Sequence, residues 1–271
     1  METKHLLVAI RAALEAGQEI LNIYNDPNQD FEIERKADNS PLTIADRKAH
    51  SVIAARLQAT PYPVLSEEGK HLPYEVRRSW SALWVVDPLD GTKEFIKRNG
   101  EFSVNIAYVL DSQPMAGVIY FPVGRTLYFA DVDRGAYRLD DVTGIGDMDF
   151  DALTAAAEPL PIKTKHDAYV IVASRSHLTP ETVAFIDGKR REHERVETLF
   201  GGSSLKICRV AEGTADVYPR FGPTMEWDTA AGHAIVRAAG GEIRHTDSPN
   251  PLTYNKEDLH NPWFIVEGKG E

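Results

Sequence analysis

Two aspartates stand three residues apart in Trp84-Val85-Val86-Asp87-Pro88-Leu89-Asp90-Gly91-Thr92-Lys93-Glu94-Phe95, where an apolar triplet gives way to turn residues. Trp84, Val85 and Val86 read as the end of a buried strand. Asp87 falls where that strand meets solvent, and Pro88, lacking an N–H, is expected to end the ladder. Across a turn set by Pro88 and Gly91, the carboxylates of Asp87 and Asp90 can converge on one point. The Leu89 carbonyl lies between them as a further oxygen ligand. Lys93-Glu94-Phe95-Ile96 reads as a first helical turn, which makes the N–H groups of Gly91 and Thr92 helix-start donors suited to an anion. Two acids beside an anion site make electrostatic sense only with cations between them. The chemistry indicated is metal-dependent hydrolysis of a phosphate ester. Asp-Pro and Asp-Gly are ordinary turn pairs when taken singly. The specific signal is the order: strand, acid, turn, acid, glycine, hydroxyl.

Phosphate monoester hydrolysis needs a nucleophile, charge neutralisation and a stabilised leaving oxygen, all of which two or more magnesium ions can supply. Magnesium takes oxygen ligands, so carboxylates on several separate segments are expected. Glu67 follows a short strand, Tyr62 to Ser66, that can lie beside the one ending at Asp87. Its neighbour Glu68 competes for the place, and spacing does not separate them. Asp228 follows Trp227 at a helix start, a position where an aspartate by itself is more often a cap. Asp46 falls in the first turn of a helix capped by Thr43, where the helix dipole alone favours an acid. Ser203 and Lys206 put a hydroxyl and an ammonium three apart at another helix start, a fair site for a second phosphate. Arg220 and Phe221, in Tyr218-Pro219-Arg220-Phe221-Gly222, add a guanidinium and an aromatic suited to a phosphate or a base. Ser174-Arg175-Ser176-His177 follows a strand. A solvated surface role is an even alternative for each of these last groups, and His177 could equally be a loop-packing histidine. None of the nine histidines pairs into a zinc-like spacing.

The run from Asp87 to Phe95 resembles the signature of the inositol monophosphatase superfamily of magnesium-dependent, lithium-sensitive phosphatases. Trp227-Asp228-Thr229-Ala230-Ala231-Gly232 resembles its second signature. Lys93 and Glu94 look like the CysQ-type 3'(2'),5'-bisphosphate nucleotidase branch. The resemblance extends from Lys36-Ala37-Asp38-Asn39-Ser40-Pro41 to Gly240-Gly241. It implies an α/β fold, a layered α-β-α-β-α sugar-phosphatase-like sandwich. It implies two or three Mg2+ ions held by Glu67 (in preference to Glu68), Asp87, the Leu89 carbonyl, Asp90 and Asp228. Asp46 and Thr92 are carried over as the pair that holds and deprotonates the attacking water, completing a catalytic set with Glu67, Asp87 and Asp90. The implied substrate contacts are Glu67, Leu89, Asp90, Gly91, Thr92, His177, Ser203, Lys206, Arg220 and Asp228. The implied reaction removes the 3'-phosphate of 3'-phosphoadenosine 5'-phosphate to give AMP, with 3'-phosphoadenylyl sulfate as a further substrate, in sulfur assimilation and nucleotide recycling. An inositol monophosphatase or broad sugar phosphatase is the alternative within the class. A non-catalytic phosphate-binding regulator is the alternative outside it.

The elements that must position these residues are legible from periodicity. Leu6, Leu7, Ile10, Leu14, Gly17, Ile20, Leu21 and Tyr24 recur at helical spacing, so residues 4 to 24 are expected to form an amphipathic helix. A second helix should run from Thr43 to about Ala59. Ser103 to Leu110, Met115 to Phe121, Thr126 to Asp131 and Ala136 to Leu139 are short β-rich runs separated by turn residues, the pattern of an antiparallel meander. Residues 140 to 160 read as acidic and irregular, a boundary between an N-terminal half (1–150) with the metal motif and a C-terminal half (151–271) with the substrate-side residues. The two halves are expected to form one compact unit. The second half alternates strand and helix, with Pro180 at a first helical position and a helix from Trp227-Asp228 to Ala239 closed by glycines.

Composition sets the remaining bounds. Hydrophobic residues at 42% and charged residues at 26% are ordinary globular values. A net charge of −11 argues against a nucleic-acid polymer as partner, although bound cations can reverse the sign locally for a small phosphorylated ligand. The single cysteine, Cys208, sits in the apolar-periodic Leu205-Lys206-Ile207-Cys208-Arg209-Val210 and reads as a core thiol. No signal peptide or membrane-spanning run is evident. The expectation is a cytoplasmic monomer or homodimer, with peripheral membrane association left open.

Overall fold

The computed structural model describes residues 1–27, 31, 33–35, 41–70, 72–162, 167–174 and 178–269. Helix α1 (Thr3–Tyr24) is followed by a two-residue ladder, β1 (Glu34–Arg35) with β2 (Pro41–Leu42), and by α2 (Ile44–Leu57). Next come β3 (Val64–Ser66), a single turn α3 (Tyr74–Arg77), β4 (Ala82–Asp90) and the short α4 (Thr92–Ile96). The meander is β5 (Ser103–Leu110), β6 (Gln113–Phe121), β7 (Thr126–Asp131) and β8 (Gly135–Leu139), all antiparallel neighbours. Helix α5 (Phe150–Ala156) and β9 (Glu158–Pro159) follow. The remaining elements are β10 (Tyr169–Ser174), α6 (Pro180–Glu192), β11 (Val196–Gly201), α7 (Leu205–Ala211), β12 (Val217–Arg220), α8 (Glu226–Ala238), β13 (Glu242–His245) and β14 (Phe264–Glu267).

Strands β3 to β9 form one seven-stranded sheet in sequence order, and a five-stranded sheet has the order β11-β10-β12-β14-β13. Three apolar clusters define the layers. Leu6, Ile10, Leu14 and Ile20 of α1, with Ala49 and Ile53 of α2, pack on Trp84, Val86, Ile106 and Val118, one face of the larger sheet. Its other face, through Val85, Ala107 and Ile119, meets Ile207 and Cys208 of α7 and Ala230 and Ile235 of α8, which in turn cover Val172 and Phe264 of the smaller sheet. Ile186 of α6 closes the far side on Ile171 and Val217. The order is α-β-α-β-α, as the family resemblance implied. Cys208 is fully buried in the middle layer, the core thiol expected.

Two local expectations are corrected. Residues 140 to 160 are not wholly irregular. Asp149 caps α5 through its side chain, and β9 extends the large sheet. The ladder does not stop at Val86 either. It runs on to Asp90, because Pro88 lies in a bulge where a missing N–H costs nothing. The short α3 carried no periodic signal and was not foreseen.

Helix α8 lies so close to β6 that a Cβ on Gly117 would run into the backbone carbonyl of Ala231. Gly117→Ala should therefore push α8, and Asp228 with it, off the sheet. A loss of about 1–3 kcal/mol is expected, the usual cost of overpacking, read as a lower Tm with a weaker metal response.

Candidate active site

Residues Asp87 and Asp90 would point to opposite faces of a regular strand, since side chains alternate with a period of two. The bulge removes that conflict. Asp87 pairs with Asn105 and Asp90 with Ser103, so Pro88 and Leu89 together oppose Val104. The extra residue returns both carboxylates to one side. Asp87 Oδ1 accepts from the Leu89 N–H at 3.0 Å, which holds the bend. Gly91, at φ +93°, then turns the chain into α4, a conformation that favours glycine.

Strand β3 runs parallel to β4 with Ser66 opposite Val86, and the Glu67 N–H bonds to Val86 O at 3.1 Å. Glu67 is thereby brought beside Asp87, whose carboxyl its charge pushes up. The charge of Glu68 acts instead on Asp46 and His50. Asp228 arrives from the opposite layer, in the first turn of α8, with its Oδ2 accepting from the Met225 N–H at 2.8 Å. Oxygens of Asp87, Asp90 and Asp228 all lie within 4.8 Å of one another.

Such crowding is unfavourable without a cation. At that separation each ionised pair repels by about 3–4 kcal/mol at an effective dielectric of 20. Burial raises the Asp87 carboxyl well above the usual range, and Glu67, Asp90 and Asp228 push it further. Asp228 is pushed up to about 8 by burial and by the charges of Asp90 and Glu67, against the pull of the Met225 N–H. An all-oxygen donor set, with no histidine or thiol in the cluster, fits a hard divalent cation.

Asp90 is held by a cradle that sequence reasoning missed. Its Oδ2 accepts from Ser203 Oγ at 2.6 Å, Ser204 Oγ at 2.8 Å and Asn105 Nδ2 at 3.3 Å. Asn105 Nδ2 also reaches Ser204 Oγ, and Ser103 Oγ lies 2.7 Å from Ser203 Oγ. A signal did exist: Ser103 and Asn105 are polar residues inside an otherwise apolar strand, and buried polar groups need partners. Ser203, expected on a second phosphate, spends its hydroxyl on Asp90 and adopts φ +48° to do so.

Asp46 is held at both of its carboxylate oxygens. One oxygen, Oδ2, closes the capping box of α2 by accepting from Thr43 N at 2.7 Å and Thr43 Oγ1 at 2.5 Å. The other, Oδ1, accepts from Thr92 Oγ1 at 3.1 Å. Thr92 Oγ1 also lies 3.4 Å from Leu89 O. With its proton directed at Asp46, the Thr92 hydroxyl keeps lone pairs able to accept from a water. Burial raises the Asp46 carboxyl, with Glu68 adding to the effect and the Thr43 and Thr92 hydrogen bonds opposing it.

The pocket lined by Asp90 and Asp228 is walled further by Glu94, Lys206, Tyr218 and Arg220. Lys206 is 7% exposed, which removes the solvated-surface alternative for it. Its Nζ donates to Ser203 O at 2.6 Å and stands 5.4 Å from the centre of the Tyr218 ring. Burial pushes its ammonium down to about 8, with Arg220 adding repulsion and Asp90, Glu94 and Glu101 opposing. Arg220 bonds to Pro223 O at 3.0 Å, and its buried Nε has no partner among the described residues. Two cations facing one cavity, one with an unused donor, describe an anion site. Gly202 N donates to Glu101 Oε2 at 2.8 Å and draws the wall of the pocket together. His177, with Arg175 and Ser176, lies outside the described residues, as do Lys36 to Ser40. Among the described residues no helix is long and apolar enough to cross a membrane.

Residues 2–263 match the inositol monophosphatase family, a metal-dependent family. A protein of Escherichia coli (strain K12) named 3'(2'),5'-bisphosphate nucleotidase CysQ is 44% identical over 257 residues, which cover 94% of this chain and 96% of that protein. The crystal structure of CysQ from Bacteroides thetaiotaomicron, described as a bacterial member of the same family, shares 58% identity with a TM-score of 0.93, covering 100% of this chain and 99% of that one. The extragenic suppressor protein suhB from Bartonella henselae has the same fold at 24% identity, with a TM-score of 0.73 over 98% of this chain and 94% of that one.

Proposed function

Because the chain belongs to the inositol monophosphatase family, we infer that it is a Mg2+-dependent 3'(2'),5'-bisphosphate nucleotidase that converts 3'-phosphoadenosine 5'-phosphate to AMP and phosphate. The observation that carries this reading is the pairing, in one pocket, of Asp90 and Asp228 of the carboxylate cluster with the buried Lys206 and the half-buried Arg220. A substrate with one phosphate can meet the metal cluster alone. A second phosphate gives the two cations their counter-charge.

In this reading Glu67, Asp87, Asp90, Asp228 and the Leu89 carbonyl hold two or three Mg2+ ions. When bound, the metal supplies charge neutralisation and an acidified water. The chain does the rest. Thr92 accepts a hydrogen bond from the attacking water, and its own proton is already directed at Asp46 Oδ1, so a proton can pass along that line as attack proceeds. Gly91 and Thr92 present N–H groups to the scissile phosphate from the turn into α4. Ser203, Ser204 and Asn105 keep Asp90 from rotating as charge shifts around it.

The deciding assay is phosphate release from 3'-phosphoadenosine 5'-phosphate and from inositol 1-phosphate, each with and without Mg2+. The reading expects Mg2+-dependent release with the nucleotide strongly preferred. Equal rates would favour a broad phosphatase, and no release from either would favour a binding protein. A pH test follows from Lys206. Its ammonium, at about 8, is charged below that pH and neutral above it, so affinity for the second phosphate is present at pH 7 and lost as pH rises past 8. KM for the bisphosphorylated nucleotide should climb between pH 7.5 and 9 by about tenfold per unit once the group titrates, while KM for a monophosphate stays flat over the same range.

A further inference from the structure

At the start of α8 Met225 occupies the N-cap position, and Asp228 reaches back to the Met225 N–H. Further restraints come from the segment 253–261. Glu226, the first residue of the helix and 0% exposed, receives Asn255 N at 2.5 Å, Lys256 N at 2.9 Å and Lys256 Nζ at 2.6 Å. The Glu226 N–H returns to Leu259 O at 2.9 Å, and Asn261 Nδ2 donates to Met225 O at 2.7 Å. Asn255 holds φ +64° to present its backbone to Glu226. On its other side the segment is gripped by Arg77, which is 3% exposed and lies between β3 and β4. Arg77 Nη1 reaches Asn255 Oδ1 at 3.1 Å and also Lys256 O, Nη2 reaches Glu257 O at 2.8 Å, and Asn255 Nδ2 donates back to Arg77 O at 2.8 Å.

We propose that Arg77, Asn255, Lys256 and Glu226 form a buried strut that sets the position of Asp228 relative to Glu67 and Asp87, and so tunes how tightly the active site holds Mg2+. The geometry gives the reason. Asp87 and Glu67 belong to adjacent strands and register each other through the β3–β4 ladder, whereas Asp228 comes from a helix in another layer. Arg77 sits in the connection that follows Glu67, and Glu226 sits two residues before Asp228. The chain of hydrogen bonds between them ties the two sources of carboxylates together. A fully buried carboxylate with an ammonium as its partner is costly to desolvate, and hydrophobic replacements of such pairs are often at least as stable. Its use here is positional: groups that orient metal ligands from behind commonly alter metal affinity or activity by about 10–100-fold when removed. Glu226, Lys256 and Arg77 are positioning residues, since none of them touches the reacting atoms.

The inference rests on the reading of Asp228 as a metal ligand, and the test separates the two. Mg2+ alone is titrated calorimetrically into the wild type, Asp228→Asn, Glu226→Gln, Lys256→Met and Lys256→Arg, well below each variant's Tm. Activity is then measured at saturating Mg2+. Glu226→Gln and Lys256→Met should bind Mg2+ about tenfold more weakly, with a lower kcat and an unchanged KM for 3'-phosphoadenosine 5'-phosphate. Lys256→Arg should restore most of the affinity. If both strut variants lower Tm yet bind Mg2+ within twofold of wild type, the strut is only structural and the proposal is overturned. If Asp228→Asn itself binds Mg2+ like the wild type, the reading of Asp228 fails and the strut proposal falls with it. Should Glu226→Gln not fold, the Lys256 pair decides the question alone.

Discussion

Replacing Asp87 with asparagine should abolish turnover and, at the same time, raise the stability of the metal-free protein. The two effects have one cause. Asp87 lies 2% exposed among Glu67, Asp90 and Asp228, where its charge is unfavourable until a cation arrives. Asparagine keeps the shape and an acceptor for the Leu89 N–H but removes the charge that a divalent ion needs. The expected loss in kcat is about a thousandfold or more, at or beyond the upper end of what removing one transition-state partner costs. The expected gain in the metal-free protein is about 1–2 kcal/mol, or roughly 2–6 °C in Tm, from relieving one of the carboxylate repulsions. The sign can be checked by pH. A carboxyl raised in the folded state takes up a proton on folding, so stability present below its unfolded value is lost as pH rises through the folded one. For Asp228 that window runs from 3.8 to about 8. Metal-free wild type should therefore lose stability across this range, and Asp87→Asn should lose less. Thermal melts in chelator and initial rates in excess Mg2+ measure both halves. Near-normal turnover at modest Mg2+ would overturn the assignment of the central motif.

Lys206→Met should separate the bisphosphorylated nucleotide from smaller substrates. Methionine fills much of the lysine's volume, so the packing against Tyr218 survives while the charge is lost. One charge-assisted contact to phosphate is worth about 1.5–3 kcal/mol, or roughly ten- to a hundredfold in affinity. The expected result is a fall of that size in kcat/KM for 3'-phosphoadenosine 5'-phosphate, with hydrolysis of a small monophosphate nearly unchanged. The competing outcome is specific. Lys206 donates to Ser203 O, and the Ser203 hydroxyl supports Asp90, so a lysine serving mainly that cradle would lose both activities equally. Equal loss would move Lys206 from the second phosphate to the metal site. No change on either substrate would remove it from both.

The sequence alone determined the parts whose signals are local. Helical periodicity located α1, and Thr43 with Asp46 three residues later marked the start of α2. The alternating runs after Ser103 marked the meander, and the order of residues from Asp87 to Thr92 marked the chemistry. Each depends on residues a few positions apart, which interact before any distant segment is placed. The layered fold came through the family resemblance and not from these patterns. Tertiary structure decided the rest. Pro88 looked like a strand end because a missing N–H ends a central ladder, but its partner strand accommodates it in a bulge, and that bulge aims Asp87 and Asp90 to the same side. Glu67 and Glu68 are chemically the same, and it is the Glu67 N–H bond to Val86 O, at the end of the β3–β4 ladder, that brings Glu67 beside Asp87. Lys206 at a helix start reads equally as a phosphate contact or as a solvated surface lysine. It is buried because Tyr218, Arg220 and Ser203 arrive from other elements. The cradle of Asp90 joins positions 103, 105, 203 and 204, and the strut joins 77, 226, 255 and 256. No local pattern encodes such pairings, because strand register and the burial of a charged group are fixed only when distant segments pack and every polar group left inside must find a partner.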